Sequence, residues 1–244
     1  MGSGGMGGMG GMGMGMRELD VERNYRRVLG TKPNSMPEAP PLPSSYSYNP
    51  SLSKDKWEDF TPDDFYKALQ CEEIHLGDRS IHETSTWHRL RQTYEDVVGS
   101  GRSSIHGANI EGMDQDATSF HVESVPNKGR GIVAQRDIKA GEHIWSDVYL
   151  AEFYDTHDLN RFLAVLPSQL ACDVIIWKYD HDENPDNFFF SVNLDVSSFC
   201  NDGGSLESNI IWESGPIDND FFAARDIRAG EEILCDYGYD YIYE

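Results

Sequence analysis

Cysteine, basic residues and long apolar runs are all scarce in this 244-residue sequence. The four cysteines are widely scattered and form no C-x-x-C pair, so the sequence predicts neither a zinc knuckle nor a disulfide framework. No apolar run approaches the length of a membrane span, and no apolar signal core stands at the N-terminus. We therefore expect an intracellular protein, of the nucleus or the cytoplasm, without a membrane partner.

The shortage of basic residues leaves the chain strongly acidic. Lysine and arginine number 20 against 42 aspartates and glutamates, which gives a formal net charge of −22. Binding to nucleic acid depends on cationic contacts to phosphates, so we expect no direct contact with nucleic acid. The charge suits a basic polypeptide partner, although an acidic surface also serves solubility alone.

Composition divides the chain into three parts. Residues 1–60 consist of a Gly/Met-rich tail and a Pro/Ser linker, with a possible short helix between them. We expect the tail to be disordered. Residues 61–117 are predicted to form a small helical N-terminal region. Residues 118–244 change to short β-rich runs, with a helical insert at about 155–180 that Pro167 divides into two short helices.

The helical prediction for the second part is based on start and stop signals. Thr61 and Pro62 are a cap residue and a first-turn proline, and acidic residues follow them. Further along, Trp87 opens a run of apolar residues at helical spacing, and Gly99 follows that run as a stop.

One phrase occurs twice in the β-rich part, within residues 131–145 and again within 221–238. Both copies read Arg-Asp-Ile, a basic residue, Ala-Gly-Glu, any residue, then Ile. We interpret each copy as a hairpin whose turn glycine, Gly141 or Gly230, supplies a positive φ. The isoleucine of each Arg-Asp-Ile is predicted to lie beneath its turn. The repeat therefore predicts two pseudo-equivalent structural units that carry no chemistry themselves.

Chemistry is instead expected from the residues that flank the two copies. Lys128-Gly129-Arg130-Gly131 precedes the first copy, and glycines there let a ligand approach the backbone closely. A polar segment, FCNDGGSLESNI, lies before the second copy, and Asp-Tyr-Gly follows that copy directly.

Taken in order, these motifs resemble the SET-domain family of protein lysine methyltransferases. The ordered set is K-G-x-G, A-x-R-D-I-x-x-G-E, F-x-N with a loop and a second Asn, and G-E-E-I-x-x-D-Y-G. The resemblance implies a mainly β fold, a SET-type β-clip of short strands and hairpins with a helical insert. It also implies S-adenosylmethionine as methyl donor and the ε-amine of a protein lysine, histone or non-histone, as acceptor.

The resemblance further implies roles for individual residues. Tyr237 of the Asp-Tyr-Gly signature corresponds to the catalytic tyrosine, and Tyr239 and Tyr241 are placed in the substrate channel. No metal is expected, because the histidines show no i, i+4 pair on a helix. The residues assigned to cofactor binding are Lys128, Gly129, Arg130, Gly131, Asn201, Asp202 and Asn209.

The sequence departs from the family motif in the loop after Asn201, where Ser208 also replaces a proline, and two alternatives remain open. Asp202 follows Asn201 where the family motif carries histidine. The chain could therefore be a catalytically weakened SET-like module that binds basic proteins. Carbohydrate-binding modules of the SAF type share the Arg-Asp-Ile hairpin, but they lack its second copy and the Asp-Tyr-Gly that follows.

Overall fold

A computed structural model describes residues 38–52, 57–77, 79–105, 118–181, 189–214 and 219–238. All of them belong to one structural unit, Thr31–Glu244. The predicted disordered tail and its short helix lie outside the described residues. Within the described residues, no helix is both long and apolar enough to cross a membrane.

In the N-terminal region, the first helix begins and the third helix ends where the sequence predicts. Thr61 Oγ1 accepts a hydrogen bond from the backbone N–H of Asp64, and Asp64 Oδ2 accepts one from the backbone N–H of Thr61. This reciprocal capping box fixes the first helix start, and Gly99 caps the third helix. The three helices are α1 (Pro62–Ala68), α2 (Cys71–Leu76) and α3 (Thr84–Val98).

The segment 38–52 falls in the predicted linker, yet it packs against the helical insert. The backbone N–H of Asn49 donates to Ala164 O at 2.7 Å, and its side-chain amide donates to Leu166 O at 3.0 Å. Arg161 Nη2 donates to Pro40 O at 2.6 Å. A segment without regular secondary structure can thus be held by side chains that satisfy backbone groups.

The insert consists of two helices, as predicted, with Pro167 between them. Helix α4 (Thr156–Val165) starts at Asp155, whose carboxylate accepts from the backbone N–H of His157, and helix α5 (Ser168–Trp177) follows. Every side chain of α4 from 158 to 165 is buried. The insert is therefore part of the core and not an appended surface feature.

The described strands form three small sheets, so the mainly β class predicted from the sequence is confirmed. The sheets have the orders β1-β2-β10-β7, β3-β9-β8 and β4-β6-β5. The strands are β1 (Phe120–Val125), β2 (Gly129–Ala134), β3 (His143–Ser146), β4 (Leu150–Phe153), β5 (Tyr179–His181), β6 (Phe189–Asn193), β7 (Asn201–Asp202), β8 (Ile210–Ser214), β9 (Asn219–Ala223) and β10 (Glu232–Cys235).

The predicted hairpins at the two repeats are wrong, because neither turn joins two paired strands. Strand β2, before the first turn, pairs with β10, which follows the second turn. Strand β3, after the first turn, pairs with β9, which precedes the second. The turn glycines have the predicted positive φ, 77° at Gly141 and 83° at Gly230. The local sequence therefore specifies each turn. The strands on either side of a turn pair with strands from the other copy.

Reciprocal contacts between the two copies explain why the phrase occurs twice. Ile138 and Ile227 are both buried and exchange backbone hydrogen bonds of 2.8 and 2.9 Å. The carboxylate of the first copy accepts from the turn of the second, and the reverse bond also forms, each at 3.0 Å. Pseudo-equivalence is thus confirmed, and each Arg-Asp-Ile caps the other copy's turn. The two reciprocal pairs are Asp137 with Ala229 and Asp226 with Ala140.

The prediction that the cysteines form no disulfide framework is also wrong. Cys71 of α2 bonds Cys172 of α5, and Cys200 bonds Cys235 of β10. The paired cysteines are 101 and 35 residues apart in sequence. Spacing motifs such as C-x-x-C detect only local pairs, so neither disulfide could be inferred from the sequence.

The disulfide between α2 and α5 is expected to contribute substantially to stability. Replacing both Cys71 and Cys172 by alanine should lower the free energy of unfolding by about 2–4 kcal/mol, because a long loop is no longer closed in the unfolded chain. Denaturant titration of parent and variant measures this difference. A reductant should destabilise the parent more than the variant, and an equal effect on both would contradict a role for the cross-link.

Candidate active site

One pocket brings together residues from β2, from the end of the insert, and from the segment before β7. Four residues assigned from the sequence line it: Lys128, Arg130, Asn201 and Tyr237. The sequence analysis missed the remaining lining residues, which are Arg79, Ile176, Trp177, Lys178, Tyr179, Ser198 and Phe199.

The glycine loop at the start of β2 uses its two glycines differently. Gly129 has φ of 83°, and no atom lies within 4 Å of the position a Cβ would take. Its backbone is therefore open to a ligand. At Gly131, a Cβ would lie 2.5 Å from Val125 Cγ2 and 2.9 Å from Asn201 Nδ2. Gly131 is thus required for close packing within the protein.

Asn201 holds this loop in place from the neighbouring part of the sheet. Its Nδ2 donates to Arg130 O at 3.0 Å and to Glu232 Oε1 at 2.8 Å. Glu232 in turn accepts from Lys128 Nζ at 3.0 Å. The second glutamate of Gly-Glu-Glu, which the sequence analysis did not single out, therefore links the loop to β10.

Arg130 is buried, and its guanidinium binds protein groups behind the pocket wall. It donates to both carboxylate oxygens of Asp173, at 2.7 and 3.1 Å, and to Ser80 O at 3.2 Å. The guanidinium also lies 4.5 Å from the ring centroid of Phe199 and 5.4 Å from that of Trp177. Arg130 thus supports two aromatic walls of the pocket by cation–π contact.

Asp173 is the buried centre of this charge cluster, with 1% of its surface exposed. Arg79 Nη2 and His82 Nε2 each lie 2.8 Å from its carboxylate. Burial alone would raise the pKa of Asp173, but the hydrogen bonds to His82 and Arg130 and the nearby arginine charges lower it to about 2. The cluster ties helix α5 to the N-terminal region and to the glycine loop. A lone aspartate in the otherwise apolar stretch LACDVIIW was the available sequence signal.

Tyr237 stands about one-third exposed at the pocket and is held at two points. Its hydroxyl donates to the backbone oxygen of Cys200, and its backbone N–H donates to Asp202 Oδ1 at 3.1 Å. The ring of Tyr179 meets it edge-on, with centroids 6.2 Å apart. The arrangement is an oriented phenol beside a basic and aromatic pocket.

Comparison with protein-family models matches residues 129–238 to the SET domain. The match contains residues 129–131 of the glycine loop, both repeats and the Asp-Tyr-Gly motif. Residues 129–238 are therefore similar in sequence to the SET domain. No curated protein sequence gives a significant match.

Solved structures give matches of low similarity to the SET domain. The methyltransferase domain of human histone-lysine N-methyltransferase SETMAR is 18% identical with a TM-score of 0.33, over 51% of this chain and 46% of that one. The Neurospora SET domain protein DIM-5, a histone lysine methyltransferase, is 18% identical with a TM-score of 0.33, over 48% of this chain and 51% of that one. The alignment thus spans about half the length of each solved chain.

The assigned residues that the structure describes but that do not line this pocket are Gly129, Gly131, Asp202 and Asn209. Asn209 is fully buried, donates to Glu232 O at 2.7 Å and accepts from the backbone N–H of Leu234 at 2.9 Å. Its side chain fastens β10 and is not among the lining residues. Tyr239 and Tyr241, assigned to the substrate channel, lie outside the described residues.

The close packing around Gly131 predicts that a larger side chain at this position lowers the stability of the fold. Gly131→Ala should lower the free energy of unfolding by about 1–3 kcal/mol, because the added methyl group overlaps Val125 and Asn201. Gly101→Ala is the matched control, since no atom lies within 4 Å of its Cβ position. Thermal unfolding of both variants measures the effect. Equal stability of the two variants would contradict the close approach at Gly131.

Proposed function

We propose that this protein transfers a methyl group from S-adenosylmethionine to the ε-amine of a lysine in a protein substrate, histone or non-histone. The observation that carries the proposal is Tyr237, whose phenol is oriented at the pocket by Cys200 O and by Asp202. It belongs to the Asp-Tyr-Gly motif at the end of the matched SET domain.

The pocket fits the cofactor in three respects. The backbone at Gly129 is open, as a closely approaching ligand requires. The Nε of Arg79 is buried without a hydrogen-bond partner, so a donor is available for an acceptor such as a carboxylate. Trp177 and Phe199 supply aromatic surface. When bound, S-adenosylmethionine supplies an electrophilic methyl group on a positively charged sulfonium.

The acceptor amine must be neutral, and this is the main demand on the protein. A lysine with its ordinary pKa of about 10.4 is neutral in roughly one molecule in a thousand at pH 7.4, so the site must supply about 4 kcal/mol of preference. The rings of Tyr179 and Tyr237 offer apolar surface at the pocket, and an amine buried against such surface would be disfavoured in its charged ammonium form. Desolvation by the protein therefore prepares the amine.

The hydroxyl of Tyr237 is suited to direct the lone pair of that amine. Because its proton is donated to Cys200 O, its oxygen keeps lone pairs that can accept an N–H of a neutral amine. Positioning of this kind is the principal protein contribution to a direct displacement. A neutral amine needs no general base on the protein at this step.

The charge of the chain supports a basic substrate. With 42 acidic residues against 20 basic ones, the protein attracts cationic polypeptides such as lysine-rich segments. Binding of nucleic acid is not part of the proposal, for the same reason.

Calorimetric titration with S-adenosylmethionine tests the cofactor half of the proposal. We expect saturable binding at a one-to-one ratio, because the fitting groups lie together at one pocket of the described residues. Absence of heat at near-millimolar cofactor, with retained binding of basic proteins, would favour the alternative of a SET-like binding module without turnover.

A further inference from the structure

Asp202 occupies an unusual place for an exposed acidic residue. It lies in the short strand β7, which pairs in parallel with β10 and sets Asp202 opposite Cys235. Its Oδ1 accepts two backbone hydrogen bonds, from Gly204 at 3.0 Å and from Tyr237 at 3.1 Å. A carboxylate that accepts from two N–H groups makes stronger bonds than a neutral acceptor does.

Tyr237 depends on this contact because it follows the end of its strand. Strand β10 ends at Cys235, so the backbone N–H of Tyr237 is not part of the β ladder. The chain turns immediately afterwards, where Gly238 has φ of 73° and donates to Asp236 Oδ1 at 2.8 Å. Asp202 thus gives the N–H of Tyr237 the partner that a strand would otherwise supply.

The same short segment therefore holds Tyr237 at both ends. Cys200 O accepts from the hydroxyl of Tyr237. Asp202, two residues after Cys200, accepts from the backbone N–H of Tyr237. The backbone N–H of Gly203 adds a bond of 2.8 Å to Cys235 O. Segment 200–204 and the strand before Tyr237 are joined into one unit, so a shift of either end would move the phenol.

We propose that Asp202 is a positioning residue that holds the backbone of Tyr237, and that it is not a cofactor ligand. The role in turnover rests on the proposed methyl transfer. Misplacing a reacting group by about 1 Å can cost on the order of 100-fold in rate. Loss of the Asp202 contact should therefore lower the rate of transfer and leave cofactor affinity unchanged.

Three variants separate this role from charge and from general structure. Asp202→Ala removes the acceptor, whereas Asp202→Asn keeps the Oδ1 oxygen at the same position. Glu207→Ala is the matched control, because it removes an exposed acid from the same loop, on helix α6 (Gly204–Glu207). Each variant is compared with the full chain by amide hydrogen exchange at Tyr237, cofactor titration and single-turnover transfer.

We expect Asp202→Ala to speed exchange at the Tyr237 amide by about tenfold or more and to slow transfer by roughly 10- to 100-fold, with cofactor affinity unchanged. Asp202→Asn should restore most of both properties, and Glu207→Ala should match the parent.

Two results would overturn the assignment. Parent-like exchange or transfer in Asp202→Ala would show that the contact does not hold Tyr237. A loss of cofactor affinity as large as the loss of rate would make Asp202 a cofactor ligand. If the parent transfers no methyl group, the proposed function fails, while amide exchange still decides whether Asp202 holds Tyr237.

Discussion

Tyr237→Phe is expected to lower the single-turnover rate of methyl transfer by about 100-fold, the scale on which an oriented hydrogen-bonding group acts in a transition state. The variant keeps the aromatic ring beside Tyr179 but loses the hydroxyl that donates to Cys200 O. The oxygen that we propose directs the amine lone pair is then absent. Cofactor affinity should stay unchanged, because the proposed contact of the hydroxyl is with the acceptor amine. A loss confined to the rate would mark an interaction that is made in the transition state.

Tyr48→Phe is the control for removal of a phenol elsewhere. Tyr48 is 46% exposed and is not among the pocket-lining residues. The Tyr48→Phe variant should transfer methyl groups at the parental rate. Undiminished turnover in Tyr237→Phe would remove this tyrosine from the chemistry, and equal losses in both variants would indicate a non-specific effect.

Asp173→Asn is expected to lower the free energy of unfolding by about 3–5 kcal/mol, the usual cost of removing one partner from a buried ion pair. Asp173 is 1% exposed and accepts from Arg79, His82 and Arg130. The neutral amide leaves the buried guanidinium of Arg130 without a counter-charge. The loss should also loosen the aromatic walls that Arg130 supports.

Glu123→Gln is the control for loss of an exposed carboxylate. Its partner is His121, and both side chains are more than one-third exposed, so the stability of this variant should be parental. Chemical denaturation of both variants makes the comparison. Equal midpoints would contradict the importance of the buried cluster.

The acid dependence of stability follows from the same carboxylate. The folded pKa of Asp173 is about 2, below the ordinary value of 3.8. Its contribution is therefore fully present above the unfolded pKa and is lost as the pH falls through the folded pKa. The parent should lose this contribution between pH 4 and pH 2, and Asp173→Asn should lack that part of the acid transition.

Local sequence signals predicted the turns and helix ends but not the strand partners. Gly141 and Gly230 were identified because a positive φ is a property of single residues. The pairing of β2 with β10 depends on residues about 100 positions away. Two copies of one phrase gave no indication that each would cap the other, since that requires knowledge of how they meet in space.

The features around the site that the sequence did not predict likewise depend on packing between residues far apart in the chain. The cysteines lack any local spacing, and Asp173 has its partners on other elements, Arg79 and Arg130. Motifs flanking the repeats did place Lys128 and Tyr237 at one pocket. Arg79 was missed because it lies in the helical region before the motifs begin.

Transfer of a labelled methyl group tests the central claim most directly. The full chain is incubated with S-adenosylmethionine carrying a trideuterated methyl group and a panel of histones and other lysine-rich proteins, and peptides are mapped by mass spectrometry. We predict the label on the ε-amine of specific substrate lysines with the parent, and its near absence with Tyr237→Phe. Saturable cofactor binding without label on any lysine, or equal labelling by both proteins, would contradict the account.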